Sequence, residues 1–246
     1  MMGKEYEKMG QRTRLILAAA VISAMMAGCS KNQNGNTLSN ETGAETGAES
    51  AVQQDQSVNQ TEKAGNILIA YFSVPETDGT DTEAGASRVA VDGEVLGNTQ
   101  YVAQLIGQET GGDLFRIETI QEYPGTHDQL LGFAYEELAK DTRPELASKI
   151  ENLDGYDTIF LGYPNWNAEL PMPLYTFLEE TDLSGKTIIP FVTHGGSGFS
   201  RTVQTIAQLQ PEAEVLADGL SISRNAAASS ADSVSQWVDH LGLRGQ

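Results

Sequence analysis

From residue 66 onward, short apolar runs alternate with longer segments whose apolar positions recur every three or four residues. Ile67-Leu68-Ile69-Ala70-Tyr71-Phe72 is an unbroken run of strand-forming residues. Residues 99–111 then place Val102, Leu105 and Ile106 at helical spacing and stop at Gly111-Gly112. The same alternation predicts strands at 114–117, 158–162 and 187–192, and a fifth within 213–222. It predicts helices at 128–140, 173–180, 201–209 and 231–241, with Pro173 suited to a first helical turn. Continuous apolar strands alternating with amphipathic helices predict an α/β domain, a parallel sheet covered by helices on both faces.

The chain before residue 66 has a different texture. Lys4, Lys8, Arg12 and Arg14 precede a weakly polar-to-apolar run over 15–27. Its length fits the ~7–15 residues of a signal-peptide core and is too short to span a bilayer. Arg12 and Arg14 are separated by Thr13, so they do not form a twin-arginine signal. Met26-Ala27-Gly28-Cys29 resembles a bacterial lipobox, which predicts a signal peptide over 1–28 and a lipidated Cys29 as the mature N-terminus. An ordinary signal peptide with an incidental cysteine is the alternative. Residues 30–65 are rich in Asn, Gln, Ser, Thr, Gly and Glu, with almost no large apolar side chain to repay ordering. They read as a disordered tether with a reach of roughly 30–36 Å. The expected organisation is signal peptide 1–28, lipidated linker 29–65 and one folded domain over 66–246.

Cys29 is the only cysteine of the chain, so the mature fold has no intrachain disulfide, thiolate metal site or cysteine nucleophile. The net charge is −19. Such a chain repels nucleic acid and anionic lipid and favours partners with a basic face. No metal-ligand spacing occurs among its carboxylates.

In an open parallel sheet a ligand sits beyond the carboxyl ends of the strands, where strand order reverses. Three loops there carry candidate chemistry. The first leaves the 67–72 strand at Ser73 and ends in Gly97-Asn98-Thr99, which suits either a phosphate cradle or a simple helix cap. The second contains Pro164-Asn165-Trp166-Asn167-Ala168. A tryptophan there is expected to lie outside the core and to stack on a flat ring, with a lid packed on its own protein as the alternative. The third reads Thr193-His194-Gly195-Gly196-Ser197-Gly198-Phe199, where glycines admit close approach of the backbone to a ligand. Ser197 beside His194 invites a nucleophile reading, but Phe199 stands where a Gly-x-Ser-x-Gly elbow needs glycine.

These pieces occur in one order along residues 66–243. Together with Leu170-Pro171-Met172-Pro173, Thr176-Phe177-Leu178 and Ser184-Gly185-Lys186, they resemble the flavodoxins, in the branch common in anaerobic bacteria. The resemblance implies a five-stranded sheet of order 2-1-3-4-5 and one FMN. It places Ser73, Gly97, Asn98 and Thr99 at the phosphate. Pro164, Asn165 and Trp166 fall on one flavin flank, and Thr193, His194, Gly195, Gly196, Ser197 and Gly198 on the other. The sequence departs from the pattern twice. Residues 74–96 form an excursion expected to return to the same loop, and Asn167-Ala168 stand where relatives often carry Trp-Gly.

The expected function is electron transfer through FMN on the outer face of a membrane, held there by lipid alone, with a basic redox partner. Residues 66–246 carry 9 basic and 27 acidic side chains, a field that lowers the potential of a flavin and steers such a partner. Two alternatives are an NAD(P)H-dependent quinone or flavin reductase, with a nicotinamide seat near 74–96, Tyr123 or His127, and a flavin-free binding module. No dinucleotide fingerprint is present.

Overall fold

The computed structural model describes residues 66–75 and 87–245. The signal peptide, Cys29 and the tether lie outside the described residues, as does most of the first half of the 74–96 excursion.

Strand β1 (Ile67–Phe72) is buried along its whole length, as its apolar run requires. It pairs in parallel with β4 (Asp113–Ile117) on one side and β5 (Thr158–Pro164) on the other. Strand β6 (Thr187–His194) continues the sheet beyond β5, and β7 (Glu214–Val215) and β8 (Leu220–Ser223) both pair with its far edge. Counting β7 and β8 as one interrupted strand, this is the expected order 2-1-3-4-5.

The interruption has a local cause. The register jumps from Ile188↔Val215 to Phe191↔Leu220, so the break falls opposite Pro190, which has no N–H to donate. Gly219 passes so close to the Pro190 carbonyl that a Cβ would lie 2.5 Å from its oxygen.

Alternate side chains of β1 enter opposite cores, as strand geometry dictates. Leu68, Ala70 and Phe72 pack with residues of α2 (His127–Lys140), α3 (Met172–Glu180) and α4 (Thr202–Leu209). Ile67, Ile69 and Tyr71 pack with α1 (Asn98–Thr110) and α5 (Ala231–Leu241). In the second of these cores, Gly162 on β5 abuts the end of the Phe191 ring, leaving no room for a Cβ.

The excursion contains an element the apolar pattern did not predict. Strands β2 (Arg88–Val91) and β3 (Glu94–Gly97) form an antiparallel hairpin of their own. Its two-residue turn, Asp92-Gly93, has positive φ at both positions, 52° and 84°. That dipeptide between alternating residues is a hairpin signal readable in the sequence.

Candidate functional site

The carboxyl ends of β1, β5 and β6 lie side by side, and hydrogen bonds lock their loops together. Thr99 Oγ1, from the first loop, lies 2.7 Å from Thr193 Oγ1, from the third. The Asn165 backbone N–H, from the second, donates to the Thr193 carbonyl at 2.8 Å. Its side-chain Nδ2 donates to the Gly198 carbonyl at 2.7 Å. Three segments far apart in sequence therefore meet at one rim of the sheet. A Cβ on Gly97 would fall on the Ser73 hydroxyl, so the excursion does return to its starting point.

The predicted residues divide into two groups at that rim. Residues 164–168 and 193–197 line a cavity of about 350 Å³, together with Ser87, His127, Leu130, Leu131 and Arg224. That volume is within the ordinary range for a small-molecule site. Ser73, Gly97, Asn98 and Thr99 are outside this lining. Asn98 and Thr99 are 2% and 1% exposed. The Asn98 N–H donates to the Ser87 carbonyl at 3.0 Å, and the Gly97 N–H to Gln100 Oε1 at 3.3 Å. Two N–H groups of the expected cradle are thus committed within the protein. Ser73 faces a neighbouring hollow of about 310 Å³, whose wall includes Phe72, Arg116 and Tyr123. A further hollow of about 390 Å³ lies at the opposite end of the sheet, around Asn66, Gly111 and Tyr156. It is remote from the carboxyl-end loops, where this architecture places ligands.

Trp166 departs from expectation. It borders the cavity, yet it is only 7% exposed and belongs to the core. Its ring meets Phe72 edge-on at 5.4 Å and Tyr123 at 5.6 Å. Those partners come from distant segments and cover the indole, which no pattern local to residue 166 announces. The indole and its partners form an aromatic wall between the two hollows. Behind it, the Tyr123 hydroxyl donates to Glu137 at 2.9 Å, and Gln121 Nε2 donates to the same carboxylate at 2.6 Å. Burial raises the Glu137 carboxyl, an effect opposed by these two hydrogen bonds. Burial also raises the Tyr123 phenol, reinforced by the Glu137 charge.

The turn after Trp166 is tight. The Trp166 N–H bonds the Glu169 carbonyl, and the Glu169 N–H bonds the Trp166 carbonyl at 3.0 Å. Asn167 and Ala168 between them have φ of 57° and 64°. Asn165 is the residue best set for a ligand, because its Oδ1 is buried without a hydrogen-bond partner.

His194 is not a general base for Ser197. Its Nδ1 accepts the Gly196 N–H at 2.9 Å, and its Nε2 lies 2.9 Å from Ser221 Oγ. An accepting Nδ1 fixes the neutral tautomer with the proton on Nε2, and burial lowers the imidazole further from protonation. The N–H groups of Gly195, Ser197 and Gly198 make no hydrogen bond among the described residues. The third loop therefore offers donors to a ligand rich in carbonyl oxygens and ring nitrogens. No metal-binding cluster occurs among the described residues, and no described helix is long and apolar enough to cross a membrane.

His127, at the start of α2, reaches the cavity, whereas a surface turn is the simpler reading of its sequence position. Arg224 is absent from the sequence-predicted set altogether. It follows β8, where Ser223 pairs with His194, and a Cβ on Gly195 would lie 3.9 Å from its guanidinium carbon.

Known proteins agree with this architecture. The family model described as flavodoxin matches residues 89–241. A protein of Bacteroides eggerthii assigned to the flavoproteins is 27% identical, with a TM-score of 0.55, and the match covers 73% of this chain and 99% of that one. A second, from Bacteroides uniformis, is also 27% identical, with a TM-score of 0.52 over 72% of this chain and 99% of its own. A flavoprotein of Lactobacillus acidophilus, solved in complex with FMN, is 19% identical with a TM-score of 0.49, covering 70% of this chain and 99% of its own. Among curated proteins nothing matches.

Proposed function

Since the chain belongs to the flavodoxin family, we propose that its domain binds FMN in the cavity between the second and third loops and serves as an electron carrier. The observation that carries this reading is the donor set. Three uncommitted N–H groups at Gly195, Ser197 and Gly198 and the unsatisfied Asn165 Oδ1 border or adjoin one cavity of about 350 Å³. An isoalloxazine edge presents both acceptors and an N–H donor, so these groups fit it. FMN, when bound, supplies exchange of one or two electrons. The protein's part is to orient the ring, with the Trp166 edge on one flank and the glycine loop on the other, and to bias its charge.

The acidic surface favours a redox partner with a basic face. The lipobox-like sequence ending in Cys29 supports attachment to the outer face of a membrane through lipid alone. Replacing Cys29 by Ser is then expected to release the protein from the detergent phase into the aqueous phase on phase separation. Retention in the detergent phase would refute that anchor.

Titration of the full chain with FMN tests the cofactor. The expected result is a shifted visible flavin spectrum and quenched tryptophan fluorescence at saturation. An unchanged spectrum would reject the flavin reading and favour a flavin-free binding module. The hollow beside Ser73, walled by Val74, Phe72 and Tyr123, supports a second reading, a reductase that seats its own hydride donor or quinone. Steady-state oxidation of NAD(P)H with a quinone acceptor separates the two: a reductase turns over alone and a carrier does not.

A further inference from the structure

We propose that His194 is a positioning residue for the flavin: its neutral imidazole braces the third loop in the form that receives the ring edge, and protonation releases the brace. This rests on the flavin reading above. The first support is the backbone of the loop. Gly196, Gly198 and Ser200 have positive φ, at 136°, 57° and 52°. A segment with glycine at 195, 196 and 198 has many conformations open to it and little local preference for this one. Ties to other residues must therefore hold it.

Two such ties exist. At the far end, Asn165 Nδ2 donates to the Gly198 carbonyl at 2.7 Å and to Ser200 Oγ at 3.1 Å. At the near end, His194 Nδ1 accepts the Gly196 N–H at 2.9 Å, while its Nε2 lies 2.9 Å from Ser221 Oγ. Ser221, on β8, also lies close to Gly198, where a Cβ would come within 3.8 Å of its hydroxyl. The imidazole thus links the middle of the loop to an edge strand of the sheet. From Gly195 to Gly198, the Gly196 N–H is the one group committed within the protein among the described residues. Its tie sets the direction of the three that remain for a ligand.

The two ties differ chemically. The Asn165 amide does not titrate, and an imidazole does. Protonation places a hydrogen on Nδ1, which then meets the Gly196 N–H as a second donor, so that bond is lost. No carboxylate lines the cavity among the described residues to hold an imidazolium. Beside His194, β5 ends in the uncharged Pro164 and Asn165, and β8 contributes the Ser221 hydroxyl. The charged groups at the cavity are Arg224, close to Gly195, and His127 on α2 when protonated. Both are cations and favour the neutral ring, as burial does.

The test follows riboflavin affinity by flavin fluorescence from pH 7.5 to 5, since riboflavin lacks a phosphate that would itself titrate near about pH 6. In the unaltered full chain, affinity is expected to fall by roughly three- to tenfold as the imidazole titrates, the worth of about one hydrogen bond. In His194→Gln, with folding confirmed by circular dichroism, affinity is expected to be weakened by a similar factor at pH 7.5 and to be independent of pH. His127→Gln is expected to keep the pH dependence. A flat profile in the unaltered chain, or a dependence that persists in His194→Gln or vanishes in His127→Gln, overturns the proposal. Nitrogen-15 NMR of the ligand-free full chain needs no variant. A proton on Nε2 at pH 7.5, with a Gly196 amide shift that shares the acid midpoint of the ring, sustains the brace. A Gly196 amide that ignores that midpoint overturns it. If the unaltered chain binds neither riboflavin nor FMN, the flavin reading fails, and the NMR result still decides the brace.

Discussion

Replacing Ala168 by Gly should stabilise the domain. Ala168 occupies the second central position of the two-residue turn closed by Trp166 and Glu169, at φ 64°, with Asn167 before it at φ 57°. Positive φ at both centres is the type I′ requirement, for which Asn-Gly is the favoured pair and Asn-Ala is not. The left-handed conformation costs an L-residue roughly 1–2 kcal/mol. Glycine removes that cost but gives the unfolded chain more freedom, worth about 0.4–1 kcal/mol in the opposite direction. The net expectation is a gain of about 0.5–1 kcal/mol. Because Ala168 is exposed, removing its methyl leaves no cavity to offset the gain. For a domain of this size the gain raises the melting temperature by roughly 1–4 °C. Urea unfolding followed by circular dichroism measures it, with Ala168→Val as the opposite perturbation, since a β-branched side chain fits this region worst. If Ala168→Gly is neutral or harmful and Ala168→Val no worse than wild type, the turn does not hold positive φ in solution and the reasoning fails.

Three further outcomes are expected. Gly162→Ala drives a methyl into the buried Phe191 ring and should lower stability by about 1–3 kcal/mol in a urea melt; a neutral result would mean that the sheet yields there. His194 has a depressed folded pKa, so its contribution to stability is complete above about pH 6.5 and is lost as pH falls through the folded value. The stability advantage of wild type over His194→Asn, about 1 kcal/mol for the Gly196 and Ser221 bonds, should therefore shrink between pH 7 and 5; a gap independent of pH would count against the assigned tautomer. Of the two tryptophans, Trp166 borders the cavity and Trp237 packs on Phe160 in the other core. Quenching by FMN should thus persist in Trp237→Phe and largely vanish in Trp166→Phe, and the reverse pattern would move the ligand elsewhere.

The sheet was legible because a strand buried on both faces must be apolar throughout, and the runs at β1, β5 and β6 are. Crossover topology then located the three loops without reference to any side chain. Other features depend on contacts between distant segments. Trp166 is buried because Phe72 and Tyr123, from separate parts of the chain, close over it. The fifth strand breaks because Pro190 on its neighbour has nothing to donate. Arg224 is one charge in a loop after an edge strand, with no surrounding pattern, and only the register of Ser223 against His194 brings it to the cavity. The β2–β3 hairpin is a different case: its Asp92-Gly93 turn is a local signal, but strands of four residues are too short for apolar periodicity to mark.

The contact between Ser73 and Gly97 has a consequence for how such a domain diversifies. The two stems of the excursion touch, so the sheet and α1 are held in place whatever lies between them. A ring already fastened at its clasp can change circumference cheaply, since doubling a flexible loop costs only about 0.6 kcal/mol in closure entropy. The chain can therefore exchange the whole appendage beside the ligand cavity for another, acquiring a new neighbour for its ligand while the five-stranded frame is inherited unaltered.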